Sequence, residues 1–183
     1  AHTLLMKNIT EKLMYTAVVS LYVLLAFSFS FEGMAADRKV ASESILWVKV
    51  DALGRSMPLT KDNLESILGT PMSMREQSEY ITLWRGEPAI VASDLGITDA
   101  RIKVGASRKF SIATFNILGK CITYEDIKKH YGNLSLYDTP RGHSYMDEMV
   151  YRSSQSWGSY YFVFRMIARD CLAAITLSTD NDP

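Results

Sequence analysis

Apolar and polar residues recur along this chain with two periods, one helical and one extended, and the changes between them mark out the elements. From Leu59 to Gly69, the residues Leu64, Ile67 and Leu68 fall on one helical face, with Lys61, Asp62 and Glu65 on the other. Thr60 stands where an N-cap belongs, and Gly69-Thr70-Pro71 ends the run. The same layout returns 63 positions later, where Ile122, Thr123, Glu125, Ile127 and Gly132 take the places of Leu59, Thr60, Asp62, Leu64 and Gly69. This predicts a second helix from Thr123 to about Tyr131, with Ile127 and Tyr131 facing a core and Glu125, Lys128 and Lys129 in water.

Between and after these helices the period falls to two. A polar leader over 36–44 gives way to Ile45–Val50, which is rich in β-formers and reads as a first strand. Glu79–Trp84, Ala100–Val104 and Phe110–Ile117 read as three more. The last of these sorts Ser111, Ala113, Phe115 and Ile117 onto one pleat and Phe110, Ile112, Thr114 and Asn116 onto the other. Ala89–Leu95 fits either an extra strand or an irregular excursion. After the second helix come Met146–Ser153, Gly158–Arg165 and Ala168–Ser178, and a frayed tail from Thr179. At the 63-residue offset Phe110–Phe115 falls on Ala173–Ser178. The expected fold is therefore α+β: two helix-plus-three-strand repeats, about 45–118 and 119–178, forming antiparallel sheet with the helices packed on one face.

The N-terminus reads as an export signal. Lys7 and Lys12 precede an apolar run from Leu13 to Phe31, and small residues follow at Gly33 and Ala35. Residues 1–36 are expected to be a signal peptide cleaved near Ala35, leaving 37–183 as a single globular domain with no lasting membrane anchor. The apolar run is also close to spanning length, so an uncleaved anchor is the competing reading. An oxidising compartment suits the two cysteines of the chain. Pairing Cys121 with Cys171 closes a loop of about 50 residues, worth on the order of 4 kcal/mol. Two free buried thiols are the alternative.

Composition narrows the chemistry. Twenty basic residues balance 20 acidic ones, which leaves no field to draw in nucleic acid. An apolar content of 48% with three tryptophans supports a folded domain. No Ser sits in a Gly-x-Ser-x-Gly elbow, and Cys121, His130, His143 and Cys171 lack the paired spacings of a zinc site. The expectation is a protein that is not an enzyme and carries no cofactor or metal.

Tyr137–Tyr161 stands apart in its mixture of Tyr, Trp, Arg, Ser and Gly, the mixture of binding surfaces. Arg141, His143, Tyr145, Tyr151 and Trp157 are the candidate partner-binding residues. Tyr145, Tyr151 and Trp157 would serve equally as core aromatics of strands.

A helix ending in Leu68-Gly69-Thr70-Pro71 and running into antiparallel strands resembles the unit of BamE-like envelope proteins. Its doubling resembles the β-lactamase inhibitor protein. The export signal, the repeat, the Gly119-Lys120-Cys121-Ile122-Thr123 helix start and the late Asp170-Cys171-Leu172 strand are similar to small periplasmic immunity proteins of Gram-negative bacteria. That resemblance implies a periplasmic inhibitor that binds and occludes a type VI-secreted effector acting on cell wall or membrane. The BamE-like resemblance implies instead a structural envelope protein, although the lipidated Cys of that family is missing here.

Overall fold

The computed structural model describes residues 42–142 and 144–179. The predicted signal peptide, His143 and residues 180–183 lie outside them. Residues 42–55 form a helix, α1, where the sequence reading placed the end of a polar leader and a first strand. The correction has a clear cause. Leu46, Trp47, Val50 and Leu53 are all at most 5% exposed, whereas Ile45 and Val48 stand at 43% and 64%. That spacing is helical, and it becomes visible only when the window extends past Asp51.

The other two helices form where the caps predicted. Lys61–Leu68 is α2 and Tyr124–Tyr131 is α3, with Thr60 and Thr123 as N-caps. Each cap closes a capping box: the Thr60 hydroxyl accepts from the Asn63 amide at 3.2 Å, and the Thr123 hydroxyl from the Asp126 amide at 3.3 Å. Leu59 and Ile122, just before the caps, are buried together with Leu64 and Ile127 one turn on. These pairs are placed as hydrophobic staples, which fix the angle at which the chain enters each helix.

Nine strands are seen among the described residues: β1 (Met72–Gln77), β2 (Ile81–Gly86), β3 (Ala89–Ala92), β4 (Leu95–Gly105), β5 (Ser111–Gly119), β6 (Ser135–Asp138), β7 (Glu148–Gln155), β8 (Gly158–Arg165) and β9 (Leu172–Ser178). All pairings are antiparallel, in the order β1-β2-β4-β5-β9-β8-β7-β6, with β3 pairing β4. The alternation expected in β5 holds, since Ser111, Ala113 and Phe115 are buried. Ala89–Leu95 resolves as β3 and the turn into β4. Strands β1 and β6 escaped the sequence reading because they lie at the sheet edges. They show almost no buried face, Met72 being the one buried residue of the two. The last predicted strand is shorter than expected, since Met166–Ala168 forms a 3₁₀ turn before β9.

One hydrophobic cluster joins α1, α2 and α3 to the inward pleat, with Phe115, Phe162, Phe164 and Ile175 at most 2% exposed. Polar side chains of α1 then tie it to both other helices. Lys49 Nζ donates to the Ile67 carbonyl at 2.6 Å, in the last turn of α2, where a cation also meets the negative end of the helix dipole. Tyr131 donates its hydroxyl to Asp51 Oδ1 at 2.9 Å, and His130 Nε2 lies 3.0 Å from Asp51 Oδ2. Glu43 pairs with Lys120 at 3.1 Å, both side chains largely covered. Gly54 lets α1 approach β8, because a Cβ there would run into the Tyr160 ring and hydroxyl.

The disulfide joins Cys121 to Cys171. It fixes the entry to α3 beside the start of β9, where the Leu172 amide donates to the Ile122 carbonyl at 2.8 Å. Thiol labelling of the denatured, unreduced protein should find no free thiol. Cys171→Ser should lower the unfolding free energy by about 2–5 kcal/mol in a urea titration. A labelled wild-type protein, or a variant of unchanged stability, would contradict the bridge as a structural element.

Candidate functional site

The loop 139–147 leaves edge strand β6 and returns into β7. The Thr139 amide donates to Asp138 Oδ1 at 2.8 Å where the loop leaves β6. Its second half is pinned by the main chain, with Ile167 donating to the Tyr145 carbonyl at 2.9 Å and Met166 to that of Asp147 at 3.0 Å. The loop's return limb is thus held against the 3₁₀ turn while Arg141, Ser144, Tyr145 and Met146 stay exposed. Tyr145 is 68% exposed, and Met146, Ile167 and Arg141 are exposed with it. A depression of about 350 Å³ lies beside Ile167, lined among others by Asn116, Lys120, Arg165 and the two disulfide cysteines.

The remaining predicted residues lie elsewhere. Tyr151 sits on the core side of β7, 4.6 Å from the Tyr124 ring and 5.9 Å from Phe164, with its hydroxyl donating to Met149 Sδ at 3.0 Å. Trp157 occupies the turn between β7 and β8 and meets Tyr160 edge-on at 4.9 Å, packed against the core. The eight residues of β7 separate Trp157 from the loop, a span of about 25 Å. The structure therefore brings Arg141 and Tyr145 together in one loop and leaves Tyr151 and Trp157 apart from it.

Sequence reasoning missed the outward pleat of the sheet. Register places Arg85, Arg101, Thr114, Thr176, Tyr161 and Arg152 in one row across β2, β4, β5, β9, β8 and β7. At one end of the row Asp99 bridges two arginines, 2.6 Å from Arg85 Nη2 and 3.1 Å from Arg101 Nη2. At the other, Tyr137 packs on Tyr161 at 4.9 Å, and the Arg152 guanidinium lies over the Tyr137 ring at 5.6 Å. The available signal was the outward half of each strand alternation, which carries at least one polar residue or tyrosine in every strand of this row.

On the core side, Asp51 of α1 gathers His130 and Tyr131 of α3 into a polar cluster. Trp47 stacks on His130 at 5.3 Å, and Tyr131 packs on Tyr160 at 4.9 Å. Burial, and then the Asp51 carboxylate, push the Tyr131 hydroxyl well above the usual range; the same two causes raise Tyr160 to about 12. Among the described residues, no group of three or more His, Cys, Asp or Glu is placed to hold a metal ion. No helix among them is long and apolar enough to cross a membrane. Comparison with known proteins found no matching family model, curated protein or solved structure.

Two outcomes follow. Tyr151→Ala and Trp157→Ala should each cost about 2–4 kcal/mol in denaturant unfolding, as half-buried core rings do. Tyr145→Ala should stay within about 0.5 kcal/mol of the parent. A reversed order would place Tyr145 in the core. The raised tyrosines set the sign of an alkaline transition. Their full stabilisation is present below pH 10, the unperturbed value, and is lost as pH rises from there, through about 12 for Tyr160 and higher still for Tyr131. Stability should therefore fall above pH 10, and Tyr160→Phe with Tyr131→Phe should flatten that fall. An equally steep fall in the double variant would reject this assignment.

Proposed function

We propose that this chain is an exported inhibitor of the immunity type, which binds and occludes a secreted antibacterial enzyme acting on cell wall or membrane. The observation that carries the reading is the loop 139–147. It exposes Arg141 and Tyr145 to solvent while two main-chain bonds hold its second half, from Tyr145 into β7. An exposed aromatic whose main chain is already held loses little entropy on binding, which is what an anchor needs, and Arg141 adds a charged contact in the same loop. The Cys121–Cys171 bridge supports an oxidising, extracytoplasmic setting, in accord with the charged, apolar and small-residue order of the N-terminus. We also read the two halves as a repeat with the helices on one sheet face. Supporting this are two capping boxes 63 residues apart and the entry of all three helices into one hydrophobic cluster.

The test is protection. Secreted enzymes that attack cell wall or membrane, starting with any encoded in the genes adjoining this one, are directed to the periplasm of a susceptible strain, with and without this protein. Protection together with a complex that survives gel filtration supports the reading. A cell killed equally in both cases, or protected without a complex, overturns it. Arg141→Ala and Tyr145→Ala should each weaken the complex tenfold or more at unchanged melting temperature.

A further inference from the structure

The arginine pair on the outward pleat is placed against the usual logic of a sheet. Arg85 and Arg101 are directly opposed across β2 and β4, where like charges repel. Asp99 holds them together from a left-handed backbone conformation, φ 51°, at the bulge between Thr98 and Arg101. A non-glycine residue at such an angle carries strain, and strain of this kind persists where the surroundings impose it. Both arginine side chains remain about half exposed, at 54% and 51%, while Asp99 is 24% exposed. The carboxylate thus lies lower and the guanidinium groups stand outward.

Next to Arg101 is a shallow depression of about 200 Å³, lined by Leu83, Arg101, Lys103, Ile112 and Thr114. Small-molecule sites run to roughly 300–1,000 Å³, so this one has room for a single apolar side chain. Lys103 lies across from Leu83, one step along from the arginine pair. Glu76 of β1 lies opposite Leu83, so Arg85, Arg101 and Lys103 face two carboxylates, Asp99 and Glu76, and the corner keeps a net positive charge on a chain whose formal charge is zero.

We propose that this corner docks an acidic segment of a protein partner, its carboxylates on Arg85, Arg101 and Lys103 and a flanking apolar side chain between Leu83 and Ile112. Guanidinium pairs recognise carboxylates through paired N–H donors, and the depression beside them supplies an apolar anchor. An acidic protein suits the corner better than a nucleic acid. The row continues from Arg101 into Thr114, Thr176 and Tyr161, whereas a phosphate backbone needs cations at successive positions. The inference rests on the protein-binding reading above and adds the chemistry of the partner.

The test uses the disulfide-bonded protein, labelled with ¹⁵N, and the probe Gly-Asp-Ser-Leu-Ser-Glu-Gly with blocked ends. In an extended peptide its two acids and its leucine share one face. Saturable shifts should appear at the amides of Leu83, Arg85, Arg101, Lys103, Ile112 and Thr114. The R85Q/R101Q protein should bind at least tenfold more weakly while melting no lower than the parent. A peptide with Asn and Gln in place of the acids should not bind. Equal binding of that neutral peptide, binding unchanged in R85Q/R101Q, or shifts confined to other parts of the sheet would overturn the proposal. So would displacement of the peptide by a single-stranded oligonucleotide or by phosphatidylglycerol vesicles at matched charge, which would make the corner a general polyanion surface. Each of these failures leaves the protection experiment intact, because that experiment reads the whole protein against a secreted enzyme and not against a peptide.

Discussion

The pairing of β5 with β9 is the constraint on which the rest of the molecule depends. It joins the strands before Cys121 to those after α3, with Ile112 opposite Ser178, Thr114 opposite Thr176 and Phe115 opposite Ile175. The two threonine hydroxyls meet at 2.9 Å on the outward pleat, and Phe115 and Ile175 are fully buried on the inward one. Bringing together strands some sixty residues apart costs loop-closure entropy, so the seam needs support at its ends. At one end the disulfide ties the residues after β5 to the start of β9. At the other, Thr179 donates its amide to the Ser111 carbonyl at 3.1 Å, and the Ser111 amide donates to the Thr179 hydroxyl at 3.1 Å.

With the seam closed, the outward row from Arg85 to Arg152 becomes one continuous surface. The loop 139–147 is held relative to it through β7 and the 3₁₀ turn. Helix α1 adds a second link between the halves, since Lys49 reaches α2 and Asp51 reaches α3. A surface fixed in this way is already ordered, so in the docking proposed here binding energy is not spent on arranging it. The strained Asp99 and the opposed arginines belong to the same picture. They are local conflicts that a firmly paired sheet can hold in place.

Much of this was legible in the residues, and the parts that were not have physical reasons. Thr60 and Thr123 announce their helices because a cap is a local interaction, complete within four residues. The alternation of β5 and the bounds of β8 are legible because one pleat of each faces a core. Helix α1 was misread because Ile45-Leu46-Trp47-Val48 is dense in β-formers. Its true period is set by contacts with α3 and β8, which no short window contains. Edge strands β1 and β6 bury almost nothing and so carry no period at all. The exposed loop of Arg141 and Tyr145 could be suspected from composition. The arginine corner could not, because Arg85 and Arg101 become neighbours only through the β2–β4 register.

The most direct test is native-state hydrogen exchange, read amide by amide. If the seam makes the sheet one cooperative unit, slow amides within 112–116 and 174–178 open with the same free energy, equal to that of global unfolding. Core amides of β4 and β8 on either side should then open with them. Exchange of the β6–β9 half at a distinctly lower free energy than β1–β5 would contradict this. It would mean that the halves are separately stable and that no single rigid surface spans them.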